Sequence, residues 1–383
     1  MDRPLVYLNN AATSWPKPDC VTEIVQRVLA MPCHETGRSS MCDFIDYPSE
    51  ARNGISRLLG TADPDHVVFT QNATDSLNIL IHGFVKQHPG QFHVITTDLE
   101  HNSVLRPLAT LRQEGRISLT VLKSDKDFHI TPELIDPEVR SDTRLVVMNH
   151  GSNVVGSVQD IRDIGSLLHE KGIFFIVDGA QTLGQTTIDI SDGSVDAFAF
   201  TGHKYLFGMQ GTGGFYLNEP HEVASTKQGG TGADSRNLFH PEDMPLKYEA
   251  GTANYPGIAS LHAGITYVEA AGIDRIEAHT MDLCRYLTRS IRQEPGVTID
   301  NEKPELPVIS FNIRNLDNED AGLILARAYN IITRTGLHCA PLIHERLNEG
   351  TGSIRLSLSL QNTREQCDIA LNALHEVIPG ADN

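Results

Sequence analysis

Short β-branched and apolar runs alternate with amphipathic stretches along the first half of the chain. His66–Thr70, Phe92–Thr97, Ile117–Leu122, Arg144–Asn149 and Ile173–Asp178 read as buried strands, each too short for a core helix and rich in Val, Ile and Phe. Between them, Thr74–Lys86, Asn102–Gln113 and Asp160–Lys171 carry apolar residues at helical spacing. Parallel strands need a long crossover, so this alternation predicts βαβ units, an α/β fold and a mainly parallel sheet covered on both faces. After Ser194 the rhythm changes. Val195–Thr201 and Gly213–Leu217 read as two further strands, and Glu219–Glu249 as a long functional loop. Pro256–Gln293 reads as helical with a break near Gly272. The remainder alternates strands (Val308–Ile313, Ile331–Thr335, Ser353–Leu358) with helices (Asp317–Tyr329, Thr363–Val377). A domain boundary is expected within 255–265.

Composition narrows the function classes. The chain has 383 residues, too many for one small core, and its 49 acidic against 31 basic residues give a net charge of −18. Such a chain is a poor ligand for nucleic acid or anionic lipid, because phosphate neutralisation needs clustered Lys and Arg. Any anionic ligand must be held by a few placed cations and backbone amides. The six cysteines show neither a CxxC pair nor metal-ligand spacing, so neither a metal site nor a disulfide scaffold is expected. No signal-peptide core and no run near the ~18 apolar residues of a membrane span is present. A soluble, cytoplasmic protein is the expectation.

In open parallel sheets, ligands bind beyond the carboxyl ends of the strands. Polar groups follow five predicted strands: QNATDS after Thr70, DLEH after Thr97, HGSN after Asn149, DGAQ from Asp178 and GHK after Thr201. Asp178 reads as a turn or cap residue, or as a fixed anion for a cationic ligand nitrogen. Gln181 can reach a ring oxygen from the same turn. Lys204 would ordinarily be a solvated surface residue. Here it lies between VDAFAFT and YLFG, and burial would favour the neutral amine that forms Schiff bases. Thr201 and His203 beside it suit a phosphate. Asn72-Ala-Thr-Asp-Ser has the pattern of a helix N-terminus, whose free amides favour an anion. No dinucleotide or nucleoside triphosphate fingerprint occurs.

Cys339, in RTGLHCAP, is either an inert thiol or a reactive one made electropositive by Arg334 and His338. Arg355 lies in an apolar strand, where a guanidinium is expected to have an anionic partner; a substrate carboxylate would suit its planar fork.

Together YLNNAAT (7–13), FTQNATDSLN (69–78), LEHNSVLRP (99–107), HGSNVVG (150–156), VDGAQ (177–181), TGHKYLFGMQGTGG (201–214), YEAGTANYPG (248–257), RTGLHCAP (334–341) and RLSLSLQNT (355–363) resemble the class V aminotransferase family of fold-type I pyridoxal phosphate enzymes. Within it they look like the cysteine desulfurases and selenocysteine lyases. The resemblance implies a large cofactor domain over 13–258 with a mainly parallel seven-stranded sheet. It also implies a small α/β domain over 259–383, with residues 1–12 packing near it, and a homodimer with shared sites.

It further implies that Lys204 forms the Schiff base and moves the substrate's α-proton, and that His101 stacks on the cofactor ring and helps with protonation. Asp178 would pair the pyridine nitrogen and Gln181 the ring hydroxyl. Thr74, Thr201 and His203 would hold the phosphate, joined by Thr252 of the other subunit. Asn153 and Arg355, with Arg334, would bind the substrate, and Cys339 would accept its sulfur. The implied activity is L-cysteine desulfurase, yielding alanine and a persulfide for a sulfur-acceptor protein. Selenocysteine lyase, C–S lyase, epimerase-like and aminotransferase-like activities are the alternatives. Asn9, Ala73 and Leu337 depart from residues common in such motifs, and segment 33–42 matches them poorly.

Overall fold

The computed structural model describes residues 3–32, 45–233, 236–348 and 350–378; segment 33–42 lies outside the described residues. Strand β1 (Val6–Tyr7) precedes seven strands: β2 (Val67–Thr70), β3 (Phe92–Thr97), β4 (Ile117–Leu122), β5 (Thr143–Asn149), β6 (Phe174–Asp178), β7 (Ala197–Thr201) and β8 (Gly213–Leu217). These seven form one sheet in the order β2-β8-β7-β6-β5-β3-β4. Strand β8 runs antiparallel to both its neighbours, and the remaining pairs are parallel. The mainly parallel α/β sheet is as the sequence rhythm predicts.

Successive side chains of these strands enter opposite layers. Ile95, Val146, Met148, Phe175, Val177 and Phe198 join one apolar cluster, and Val94, Leu145, Val147, Phe174, Ile176 and Ala197 join the other. Burying a large apolar side chain stabilises by about 1.5–3 kcal/mol, so two such layers fix the register. That register aligns the strand ends. Asn149 lies opposite Asp178, and Thr70 and Thr201 both lie opposite Gly213. Close packing constrains the turn after β6, where a Cβ at Gly179 would sit 2.0 Å from Cζ of Phe198.

Five further strands are β9 (Val297–Ile299), β10 (Val308–Ile313), β11 (Ile331–Ile332), β12 (Arg334–Gly336) and β13 (Ser353–Ser357). An antiparallel sheet of order β12-β13-β10-β9 and a parallel pair β1-β11 result. The run read as one strand, Ile331–Thr335, is therefore two. The chain leaves its partner β1 after Ile332 and joins β13 at Arg334. Val6 and Leu8 share an apolar cluster with Ile331, Leu356 and the helix Arg364–Val377. Helices Asp19–Leu29 and Tyr47–Leu59, which the sequence reading left unassigned, pack on Tyr255–Ala271 through Val21, Ile24, Tyr47 and Ala259. The break near Gly272 is observed: φ of +81° there separates Tyr255–Ala271 from Ile273–Ile291.

Candidate active site

A cavity of about 290 Å³ opens at the aligned strand ends. Of the residues singled out by sequence, Thr74, His101, Asn153, Asp178, Gln181, Thr201, His203, Lys204 and Arg334 line it. Five separate strand-following segments and the turn at β12 thus converge on one space.

One end of the cavity is built for an anion. Asn72 caps the helix Ala73–Gln87 by accepting from the amide of Asp75 at 3.0 Å, which leaves the amides of Ala73 and Thr74 at the first turn to face the cavity. Thr201 Oγ1 and His203 Nδ1 are buried and have no partner among the described residues. Burial, then Lys204 and Lys17, pull the His203 pKa down to about 4. The ring is therefore neutral near pH 7 and offers a hydrogen bond rather than a charge. Lys17 donates to the His203 carbonyl at 2.9 Å, as do the Ser14 amide at 3.0 Å and the Thr13 hydroxyl at 3.0 Å, anchoring the loop that leads into Lys204.

At the cavity floor Asp178 accepts from the Ala180 amide at 3.0 Å. Burial raises its pKa, opposed by that amide, by Lys204 and by the Ser103 hydroxyl. Gln181 donates through Nε2 to the carbonyl of Ala11 at 3.1 Å, which leaves its buried Oε1 without a partner among the described residues. His101 caps the helix Asn102–Gln113: its Nδ1 accepts from the Ser103 amide at 3.0 Å. The ring proton consequently sits on Nε2. Burial, then Lys204 and Arg334, lower the His101 pKa to about 3, so the imidazole is neutral. Lys204 touches the cavity but is otherwise enclosed. Burial lowers its pKa to about 8, with Asp178 opposing and Arg355 and Arg334 assisting.

Cys339 lies beside this cavity. Arg334, a cavity residue, donates from Nη2 to Cys339 Sγ at 3.3 Å. His338 contributes no positive charge, which corrects the sequence reading. It is buried, its Nε2 faces Ser353 Oγ at 3.3 Å, and burial with Arg355 holds its pKa far below the usual range. His338 and Cys339 both take left-handed backbone angles, φ +50° and +61°. Arg355 is fully buried, with Nη1 donating to the Asn153 carbonyl at 2.9 Å and Nη2 to Asn9 Oδ1 at 3.2 Å. The anionic partner expected for it is not found among the described residues. Thr252 lines a different, larger groove and is not brought to the cavity within one chain.

Pyridoxal phosphate fits what is present. It brings a phosphate for the helix N-terminus, Thr201 and His203, a ring oxygen for Gln181, a protonated ring nitrogen for Asp178 and an aldehyde for Lys204. Three otherwise orphaned buried atoms, on Gln181, Thr201 and His203, would gain partners. The sequence reading missed Ser103, which braces both His101 and Asp178, and Glu100, which lies buried behind them. Both stand within the LEHNSV segment, on either side of His101.

Residues 6–369 match the model of the aminotransferase class-V family. A probable cysteine desulfurase of Methanothermobacter thermautotrophicus is 32% identical, covering 98% of this chain and 95% of its own. The apo structure of a cysteine desulfurase from Thermococcus onnurineus NA1 superposes with a TM-score of 0.91 at 26% identity over 99% of both chains. A cysteine desulfurase of Escherichia coli, crystallised as its S-sulfonic acid, gives 0.88 at 25% identity over 97% of this chain and 94% of that one. The cavity chemistry and these likenesses agree, and the chain belongs to the class V aminotransferases, enzymes that depend on pyridoxal 5'-phosphate.

Proposed function

We propose that the protein is an L-cysteine desulfurase that moves the substrate's sulfur onto Cys339 and releases L-alanine. The observation that carries this reading is the contact between Cys339 Sγ and Arg334, a residue that also lines the cavity shared by Lys204 and Asp178. Bound pyridoxal phosphate supplies an electron sink for the pair released at the substrate's α-carbon. Lys204 would hold the cofactor and move the α-proton. Asp178 would keep the ring nitrogen protonated, Gln181 would bind the ring oxygen, and His101 would offer its Nε2–H at the same site. Thr74, Thr201 and His203 would bind the phosphate. Asn153, Arg355 and Arg334 bind and orient the substrate. The Cys339 sulfur attacks the substrate sulfur, the C–S bond breaks with its electrons passing to carbon, and that carbon takes up a proton. A persulfide on Cys339 and alanine result.

The reading includes two domains, 13–258 and 259–383, with residues 1–12 packing near the second; the separate apolar cluster joining Val6 and Leu8 to Leu356 and Leu374 supports it. It also includes a homodimer in which Thr252 reaches the partner's phosphate. The exposed Leu238 and Phe239 on the groove that holds Thr252 support that arrangement. A sulfur-acceptor protein then collects the persulfide, and the reducing cytoplasm would keep Cys339 a free thiol. Turnover of L-cysteine by the native protein and by Cys339→Ala tests the reading, with sulfide and alanine both measured. The variant should keep the cofactor's visible absorption and lose alanine release by several orders of magnitude, as for loss of a nucleophile. Unchanged alanine release would exclude Cys339 as the acceptor.

A further inference from the structure

Ser103 stands where two groups of the cavity meet. It is the second residue of the helix Asn102–Gln113, which His101 caps, and it lines the cavity together with His101, Asn149 and Asp178. It carries two donors, a backbone amide and a hydroxyl, and it faces two acceptors. The amide donates to His101 Nδ1 at 3.0 Å, a bond fixed by the first turn of the helix. The hydroxyl lies 2.9 Å from the same Nδ1 and also meets the carboxyl of Asp178. Its single proton can serve only one of them at a time.

The chemistry of the two acceptors decides which. Nδ1 already has the amide. Asp178 is buried and accepts from the Ala180 amide at 3.0 Å. A hydrogen bond to an ionised carboxylate is roughly twice as strong as one between neutral groups, so ionised Asp178 takes the hydroxyl proton. A protonated Asp178 has no such claim, and the hydroxyl then turns to Nδ1. In both states Nδ1 accepts and the His101 proton stays on Nε2. The charges around the pair act in the same direction. Lys204, Arg334, Arg355 and Arg106 hold the His101 ring neutral, and Lys204 favours the ionised form of Asp178. Glu100, the acid on the Asp178 side, is kept protonated near neutral pH by burial and adds no competing charge.

We propose that Ser103 is a positioning residue that commits its hydroxyl to ionised Asp178 while its amide holds His101 Nδ1. One short side chain then keeps the carboxylate charged for the cofactor's ring nitrogen without displacing the proton on His101 Nε2. The inference rests on the assignment of Asp178 to that nitrogen. It makes the hydroxyl matter to a ligand only through the ring nitrogen.

The test follows, by absorbance, the binding of two ligands to the cofactor-free protein. One is pyridoxal phosphate, and the other is its analogue with the ring nitrogen replaced by a C–H group. Ser103→Ala keeps the amide and removes the hydroxyl. It should weaken pyridoxal phosphate about tenfold, the order expected for one hydrogen bond to a charged group, and the carbon analogue less than about twofold. Ser103→Thr restores a hydroxyl and should bind pyridoxal phosphate within about threefold of the native protein. Equal loss for both ligands in Ser103→Ala, or no loss for either, would overturn the role given to Ser103. Asp178→Asn separates the two levels. If it weakens both ligands equally, Asp178 does not pair with the ring nitrogen and the underlying reading is wrong. If Asp178→Asn discriminates between the ligands while Ser103→Ala does not, only the inference about Ser103 fails.

Discussion

The backbone amide of Asn102 donates to the carbonyl of Cys339 at 2.7 Å. The helix that His101 caps thus clamps the peptide of the proposed nucleophile. On the other side, Asn153 Nδ2 donates to the His338 carbonyl at 2.8 Å. Left-handed backbone at non-glycine residues costs on the order of 1–3 kcal/mol each, and here two stand in succession. The two clamps hold that conformation and with it the aim of Sγ.

Replacing Asn102 with Pro isolates the first clamp. Asn102 is the first residue of its helix, where Pro is tolerated, and His101 already has the extended angles that precede Pro, φ −71° and ψ 155°. Only the donor to Cys339 is removed. The variant should keep its fold and cofactor absorption while kcat for cysteine falls about tenfold, the penalty of losing roughly one hydrogen bond's worth of positioning. Native kcat in a folded variant would show that the clamp does not aim the sulfur.

The proposed Schiff-base role of Lys204 makes cofactor capture pH-dependent. With burial lowering its pKa to about 8, the amine is mostly protonated below that pH and mostly neutral above it. Only the neutral amine adds to an aldehyde. Uptake of pyridoxal phosphate by the cofactor-free protein, followed by absorbance, should therefore accelerate as pH rises and reach half its maximum near pH 8. A midpoint near the ordinary lysine value of about 10.4 would show that burial does not tune this amine. Lys204→Ala should capture no cofactor covalently at any pH.

Glu100 is fully buried, accepting from the Thr97 hydroxyl at 2.6 Å and the Asn149 amide at 3.0 Å. Burial raises its pKa from 4.5 to about 8. Below pH 4.5 the carboxyl is protonated in both the folded and unfolded chain. Between the two values the unfolded chain releases the proton and the folded one retains it, so this residue's contribution to stability falls as pH rises. Glu100→Gln, neutral at every pH, should gain in melting temperature relative to the native protein by about 2–4 °C or more between pH 5 and pH 8. A constant difference across that range would mean that Glu100 is ionised when folded.

The strand ends were legible because each strand is an unbroken apolar run, and every functional segment follows one directly. Asp178, Lys204 and Thr201 could be placed on that ground alone. The N-cap at Asn72 was legible too, since capping chemistry is local. What could not be read was the meeting of residues far apart. Asn9 reaches Arg355 across most of the chain, and nothing near either residue announces it. The absence of a carboxylate beside Arg355 is likewise a property of packing. Burial of His338 removed its expected charge for the same reason. Strands β1 and β9 are short and partly exposed, so period-two alternation has too few residues to show.

The pairing of Val6 with Ile331 joins residues separated by about 325 positions. During synthesis the amino-terminal segment emerges first and waits for β11 and β13 before it can pair. Contacts of such high sequence separation form late, because the loop they close must first be searched. Ala11, Ala12 and Arg334 line the cavity and Arg355 donates to Asn9, so the catalytic space has no complete wall until the carboxyl-terminal third has been made. A nascent chain that already holds all seven strands of the large sheet is thus still inactive, and reactive chemistry begins only when the two ends of the sequence have met.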